Sequence, residues 1–290
     1  MRSSFRLALL PILALAVNAS AAERLTARQV IERIQKNVGV PWQTETVDTF
    51  KAGDPETIVT GIATTFTDSY DVLERAAKSG KNLIISHEPS FYNHLDETKW
   101  LENDAVFRQK MDFIRDHGLV VFRFHDHWHL RKPDGILAGM VRALGWESFQ
   151  DATEQYRFSL PPTTLNGLAV TIRDRLHDRT MRVVGDPNQH VTQVAFAPGA
   201  AGAEKQIQAL ERPDVEALMV GEAREWETVE YVRDAVAEGR HKGLIILGHV
   251  VSEEAGMDEC ARWLRTFITE VPVEFIPAGE PFQPPAAASR

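Results

Sequence analysis

Cysteine is almost absent from this chain, because Cys260 is the only one among 290 residues. A single thiol cannot form an intrachain disulfide, and it cannot supply a zinc site built from several thiolates. Cys260 shares a helical apolar stripe with Met257, Leu264 and Phe267, which is typical of a buried structural thiol. Disulfide and zinc-thiolate chemistry are therefore not expected.

An excess of positive charge is also missing. The chain has 32 Lys and Arg residues against 41 Asp and Glu residues, and its formal net charge is −9. Nucleic-acid binding depends on neutralising phosphates with Lys and Arg, so no nucleic-acid partner is expected. Beyond the first residues, no apolar stretch reaches the roughly 20 residues that a membrane-spanning helix needs. We therefore expect no membrane association for the mature form.

The first 21 residues have the order of a secretory signal peptide. Arg2 and Arg6 precede an apolar run over residues 7–17, and Ala19-Ser20-Ala21 offers a small-residue cleavage site. The apolar run is too short for a lasting membrane anchor. We therefore expect a signal peptide over residues 1–21 and an exported protein, either periplasmic or secreted.

The rest of the chain alternates short apolar runs with amphipathic helical stretches. Buried strands are predicted for residues 83–86, 119–122, 215–220 and 243–247. The order strand, helix, strand favours parallel pairing with right-handed crossovers. The prediction is an α/β fold with mixed, largely parallel sheets. The segment 158–162 is expected to be a boundary, and the last helix is expected to begin near Glu254.

Imidazole and carboxylate side chains follow three of the predicted strands. The three segments are His87-Glu88, His125-Asp126-His127-x-His129 and His249-x-x-x-Glu253. The carboxyl ends of strands are where open α/β sheets bind ligands. A donor set of imidazole and carboxylate without thiolate suits Zn²⁺, Mn²⁺, Fe²⁺ or Co²⁺. The pattern therefore predicts a metal site assembled from three strand ends.

Each segment taken alone also has a structural explanation. A histidine at a strand end is often a surface residue, and His125 and His127 on an extended strand would share one polar face. Glu253 could stabilise the first turn of a helix through the helix dipole. The coincidence of three such ends favours metal binding. Six or more candidate ligands exceed the need of one four-coordinate ion, which favours two ions about 3.5–4 Å apart.

This order of motifs resembles the Nif-three-like proteins, also called dinuclear-metal-centre hexameric proteins or GTP cyclohydrolase I type 2 homologues. The matching segments include Ile85–Phe91, His125–His129, Val220-Gly221-Glu222 and Gly248–Glu253. The turn Pro198–Gly202 lies where the family has a glycine turn, and we interpret it first as a tight turn and second as a ligand contact. Two departures stand out, since Glu88 replaces a histidine of the family and His129 replaces a bridging aspartate.

The resemblance implies a two-domain α/β subunit in a hexamer, with a two-metal site between the domains. The implied metal-binding domain covers residues 24–130 and 215–280, the inserted α/β domain covers 131–214, and a flexible tail covers 281–290. The implied metal ligands are His87, Glu88, His129, His249 and Glu253, with His125 nearby. Two divalent ions would be bound, and either Glu88 or Glu253 could bridge them.

The leading functional hypothesis is a metal-dependent hydrolase that attacks a small-molecule substrate with metal-activated water. Glu222 or Glu225 could transfer protons, although both could equally be a charge pair at a helix N-terminus. A non-catalytic metal-binding or metal-handling protein is the second hypothesis, which His94 and His127 would suit. The third is a histidinol-phosphatase-like phosphoesterase, suggested by His125-x-His127 and Asp134.

Overall fold

The structure is a computed structural model, and it describes residues 24–285. The first strands and helices alternate as predicted. Helix α1 begins after Thr26, whose hydroxyl accepts from Gln29 N while the Gln29 side chain accepts from Thr26 N, so the helix has a capping box. The elements of this half are α1 (Ala27–Asn37), β1 (Phe50–Ala52), β2 (Ile62–Thr65), α2 (Tyr70–Lys78), β3 (Leu83–Ser86), α3 (Ala105–Asp116), β4 (Val120–Arg123), α4 (Asp126–Leu130) and α5 (Gly135–Leu144).

The second half continues with strands and helices in alternation. Its elements are β5 (Arg157–Thr164), α6 (Leu165–Leu176), β6 (Arg182–Val184), β7 (His190–Ala197), α7 (Ala203–Glu211), β8 (Ala217–Val220), α8 (Glu230–Ala237), β9 (Gly243–Ile246), α9 (His249–Leu264) and β10 (Val273–Phe275). A 3₁₀ turn over Lys99–Leu101 and a π-helical turn over Glu225–Val229 complete the regular structure.

Two five-stranded sheets organise these elements. The first has the order β1-β4-β3-β2-β10, in which only β1 runs antiparallel to its neighbour. The second has the order β5-β7-β8-β9-β6, in which the three central strands are parallel and both edge strands are antiparallel. The predicted fold, two α/β units with mixed and largely parallel sheets, is confirmed.

Strand pairing divides the chain differently from the predicted domains. Residues 215–280 were predicted to join the first domain, but β8 and β9 pair with β7 in the second sheet. From the last part of that range, only β10 joins the first sheet, where it pairs with β2. Buried parallel strands all appear in the sequence as similar apolar runs. Local hydrophobicity therefore does not show which of them pair with one another.

Two local predictions also need correction. The segment 158–162 is not a boundary, because it lies within β5, an edge strand where Pro161 and Pro162 are tolerated at a break in the pairing register. The last helix begins at His249 rather than near Glu254. The predicted signal peptide and residues 286–290 of the predicted tail lie outside the described residues. Within residues 24–285, no helix has the length and apolar character needed to cross a membrane.

Helices α5 and α9 cross at very close range. A Cβ atom added to Gly139 of α5 would lie 2.2 Å from the carbonyl oxygen of Ala255 in α9. A Cβ added to Gly256 would lie 2.5 Å from Ile136 Cα. The two glycines let the helix backbones touch near the middle of α9, where Thr64 Oγ1 of the first sheet donates to the carbonyl oxygen of Met257. Cys260 is buried in the same region, as expected.

Substituting Gly139 with alanine is expected to destabilise the fold by about 1–3 kcal/mol, because the added methyl group must push the two helices apart. Thermal or denaturant unfolding measures the change. The matched control is Arg142→Ala on the same helix, which removes only a solvent-exposed ion pair with Glu259 and should cost less than about 1 kcal/mol. Equal stability of Gly139→Ala and the wild type would contradict the close crossing.

Candidate metal centre

The three predicted strand ends meet in space. His87 and Glu88 directly follow β3, His125 and His129 flank the start of α4 just after β4, and α9 carries the remaining two ligands one turn apart. The first two segments come from the first sheet, and α9 follows β9 of the second sheet. The cluster therefore lies between the two sheets at the carboxyl ends of parallel strands. We call these six residues the ligand cluster: His87, Glu88, His125, His129, His249 and Glu253.

Ligand atoms of the cluster form two groups of three. The histidine group is His87, His125 and His129, and the glutamate group is His87, Glu88 and Glu253. Within each group, all three ligand atoms lie within 4.8 Å of one another. His87 belongs to both groups, and its side chain is completely buried.

Glu88 and Glu253 connect the histidines. Glu88 Oε1 lies 3.6 Å from His125 Nε2 and 3.5 Å from His249 Nε2. Glu253 Oε2 lies 3.4 Å from His87 Nε2 and 3.2 Å from His249 Nε2. These separations leave the five side chains facing one another, and neither His87 Nε2 nor Glu253 Oε2 has a hydrogen-bond partner.

In each of the four histidines of the ligand cluster, the Nδ1 atom lies within hydrogen-bond distance of an acceptor oxygen. His87 Nδ1 lies 3.2 Å from the carbonyl oxygen of Phe124. The remaining three pairs join His125 Nδ1 to Asp126 at 2.9 Å, His129 Nδ1 to Asp134 at 2.8 Å and His249 Nδ1 to Glu222 at 2.8 Å. Such contacts fix the ring orientation and the tautomer, and leave Nε2 available to a metal.

A short helix, rather than an extended strand, separates the histidines of the middle segment. His125 precedes α4 and His129 lies one turn later, so both face the ligand cluster. His127 points the other way, where its Nδ1 lies 2.7 Å from Asp48 and its Nε2 accepts a hydrogen bond from Gln43 N. The structural alternative, in which His125 and His127 lie on an extended strand and share one polar face, therefore does not hold, and the phosphoesterase hypothesis loses its His-x-His pair.

The donor set fits a divalent cation. His87 Nε2 and Glu253 Oε2 are buried polar atoms without a hydrogen-bond partner, and leaving such atoms unpaired is costly. Burial lowers the pKa of His87, so this imidazole is neutral and can donate its lone pair. Burial alone would raise the pKa of Glu88, but His249 and His87 lower it to about 2 and keep the carboxylate charged.

The two predicted proton-transfer residues have different surroundings. Glu222 accepts a hydrogen bond from His249 Nδ1 and has a half-exposed side chain. This hydrogen bond orients the imidazole of His249, one of the candidate metal ligands. Glu225 begins the π-helical turn, and its side chain is 80% exposed with Arg182 at 3.8 Å as its ion-pair partner. The structure therefore places Glu222 beside the ligand cluster and gives Glu225 no contact with it.

The glycine turn approaches the ligand cluster closely. Gly199 has a positive φ of 61°, and a Cβ added there would lie 2.3 Å from Glu253 Oε1 and 3.0 Å from His249 Nε2. Its N–H donates to Ser252 Oγ at 3.0 Å, which ties the turn to the first turn of α9. Glycine is needed at this position both for its backbone conformation and for space. Both interpretations of this turn, a tight turn and a close approach to ligands, describe parts of its geometry.

Several supporting residues were not singled out by the sequence prediction. Asp48 accepts from the backbone N–H groups of all three residues 125–127, and Tyr156 donates to Asp134 at 2.6 Å. Tyr156 has its pKa raised by burial and by Asp134, so it stays a protonated donor. Asp48 precedes α4 by 78 residues, and no spacing rule connects such a distant carboxylate with a helix N-terminus. Residues 43–49 before β1 are mostly polar, so Asp48 does not stand out from its neighbours in the sequence.

Solved structures share this fold. Staphylococcus aureus protein SA1388 superposes with a TM-score of 0.70 at 16% identity, over 89% of this chain and 99% of that chain. A Bacillus cereus protein related to NIF3 gives 0.71 at 13% identity, over 90% and 99%. Reduced HcgD from Methanocaldococcus jannaschii gives 0.62 at 12% identity, over 88% and 98%. At these identities the likeness shows the fold alone.

Sequence comparison gives the family. No curated protein matches the chain. The profile described as Duf34/NIF3 (NGG1p interacting factor 3) matches residues 25–281, which is most of the chain. The resemblance noted from the strand-end motifs is therefore confirmed. The chain belongs to the Duf34/NIF3 family, and it carries histidine and glutamate groups that could bind metal.

Proposed function

We propose that this protein binds two divalent cations in the ligand cluster and hydrolyses a small-molecule substrate. The observation that carries the proposal is the pair of three-donor groups around a buried, unpartnered His87 Nε2. The imidazoles of the histidine group would hold one cation. Glu88, His249 and Glu253 would hold the other, since their ligand atoms approach one another to 3.5 Å and 3.2 Å.

Glu253 and Glu88 each have an oxygen between the histidine group and His249, and we assign the bridging role to Glu88. Its Oε1 lies between His125 Nε2 of one group and His249 Nε2 of the other, at nearly equal distances of 3.6 Å and 3.5 Å. Its lowered pKa keeps it ionised at neutral pH. A glutamate in this position would therefore connect the two cation sites. The resemblance alone allowed either Glu88 or Glu253 as the bridging residue.

The chain's own residues would prepare the site for hydrolysis. When bound, a pair of divalent cations supplies Lewis acidity that lowers the pKa of a shared water and stabilises charge on the attacked group. Asp126, Asp134 and Glu222 hold three of the imidazoles in fixed orientation, so the site needs little rearrangement to bind. A cavity of about 470 Å³ beside His249 and Glu222 has a size suitable for a small molecule.

Metal loading followed by a substrate panel tests the proposal. The purified protein is loaded with Zn²⁺, Mn²⁺, Fe²⁺ or Co²⁺ and assayed on phosphomonoesters, phosphodiesters and amides, with Glu253→Gln as the site variant and His117→Ala as the control. We expect hydrolysis by the wild type and the control only. Full metal loading without turnover of any substrate class would support the non-catalytic metal-binding function instead.

Proton release should accompany metal binding. Burial lowers the pKa of His249, but Glu222, Glu253 and Glu88 outweigh this effect and raise it to about 12. His249 is therefore protonated at pH 7 in the metal-free protein, and a cation must displace that proton. Because the proton is lost, affinity should rise by about tenfold per pH unit below the pKa. Calorimetric titration in buffers of different ionisation enthalpy measures it, and a buffer-independent enthalpy would contradict it.

Export and assembly are proposals that rest on the sequence and the family resemblance. The predicted signal peptide supports export, and the resemblance supports a homo-oligomer, by analogy a hexamer. Cell fractionation of the full chain and light scattering of the purified protein test them. A cytoplasmic protein or a monomer would contradict the corresponding proposal.

A further inference from the structure

Arg123 is a fully buried arginine beside the ligand cluster. It is the last residue of β4, and its side chain has no solvent exposure. Its Nε donates to the carbonyl oxygen of His87 at 3.1 Å, and its Nη1 donates to the carbonyl oxygen of His94. The guanidinium thus joins the strand end that carries His87 to the loop that follows it.

The remaining nitrogen of Arg123 has no hydrogen-bond partner. Nη2 is buried, and Glu88 Oε2 lies 3.7 Å away. A buried guanidinium is strongly disfavoured unless its donors and its charge are matched. Lys51 and Arg123 both contact Asp96, at 3.2 Å and 3.5 Å, so one carboxylate serves two buried cations. Glu88 is the second anion that this pair of cations requires.

The two oxygens of Glu88 face different groups. Oε1 faces the imidazoles of His125 and His249, whereas Oε2 faces Arg123. In each of the four histidine ligands, Nδ1 points away from the cluster and lies beside an acceptor. Arg123 is the corresponding donor beside Oε2, the oxygen of Glu88 that points away from the imidazoles. We propose that Arg123 is a positioning residue that engages Glu88 Oε2 and leaves Oε1 as the single ligand atom presented to the two cations.

This inference rests on the proposed metal function and goes beyond it, because it explains how a glutamate is held in the bridging position. If Arg123 acts through Glu88, its loss matters only while Glu88 is present. If it only supports the fold, its loss matters equally with or without Glu88. A double-mutant cycle separates the two possibilities.

The experiment measures Co²⁺ affinity and the visible Co²⁺ spectrum of Arg123→Met, Glu88→Gln and the double variant. The histidine group keeps a measurable site in the absence of Glu88. We expect Arg123→Met to weaken binding by about 10–100-fold, as the loss of partners to metal ligands does. It should shift the spectrum as Glu88→Gln does, and it should have little further effect in the Glu88→Gln background.

Controls separate the possible failures. Lys51→Met removes the other buried cation on Asp96 without touching Glu88, and it should leave affinity and spectrum unchanged. If Arg123→Met does not fold, as judged by circular dichroism, Arg123→Lys replaces it and should also weaken binding and shift the spectrum. Wild-type binding with an unaffected Arg123 variant, or an equal loss in both backgrounds, would overturn the role of Arg123. A wild type that binds no Co²⁺ would overturn the proposed function itself.

Discussion

Replacing His87 with alanine is expected to remove about half of the bound metal. His87 is the one residue that belongs to both three-donor groups, and its buried Nε2 has no other partner. The wild type should carry about two ions per chain and the variant about one, because the histidine group loses one of its three imidazoles while Glu88, His249 and Glu253 remain to hold the other cation. Elemental analysis after dialysis measures the content.

The control for this prediction is His117→Ala. His117 follows α3 at the opposite end of β4, where it stacks on Phe113 and lies 3.0 Å from the Phe113 carbonyl oxygen. It should keep the wild-type metal content. His87→Gln, which changes the volume less, covers the case in which the alanine variant fails to fold. Retention of two ions by a folded His87 variant would show that the ligand cluster is not the binding site.

Replacing Asp48 with alanine is expected to cause the largest loss of stability. Its two carboxylate oxygens accept from the backbone N–H groups of His125, Asp126 and His127, and Oδ2 also lies 2.7 Å from His127 Nδ1. Both side chains of the Asp48–His127 pair are completely buried. Removing the carboxylate leaves three backbone N–H groups and His127 Nδ1 without their acceptor, and each buried unpaired donor costs about 1–3 kcal/mol, so denaturant unfolding should shift strongly.

A matched control compares Asp48 with an aspartate that accepts a single hydrogen bond. Asp54 lies in an exposed turn and accepts from Glu56 N at 2.9 Å, so Asp54→Ala should cost no more than about 1 kcal/mol. Because Asp48 also fixes the start of α4, its loss should weaken metal binding through His125 and His129. Equal unfolding free energies for the two variants would contradict the assigned role of Asp48.

The sequence predicted the position of the ligand cluster well, because a strand end is a local feature. An apolar run that stops at Pro89 shows both the buried strand and the polar residues after it. The capping box at Thr26 was predictable for the same reason, since helix N-termini have short-range signatures. The spacing of His249 and Glu253 is that of one helical turn, and α9 contains both residues although the helix was predicted to begin later.

Features that depend on distant residues were not predictable. Helix α4 is only five residues long, too short for a hydrophobic period, so His127 could not be separated from His125 by pattern. Strand β8 pairs with β7, but the strands of the first sheet are equally apolar, so the sequence did not show which sheet β8 joins. Arg123 directly follows the predicted strand 119–122, and only the fold shows that it is buried beside Glu88.

The central claim is that the ligand cluster holds two divalent cations, and anomalous diffraction from a crystal grown with Zn²⁺ or Co²⁺ tests it most directly. We expect two anomalous peaks about 3.5–4 Å apart, with Glu88 between them and the histidine group around one. An absence of peaks among these six residues in a metal-loaded crystal, or strong peaks only at other places, would contradict it.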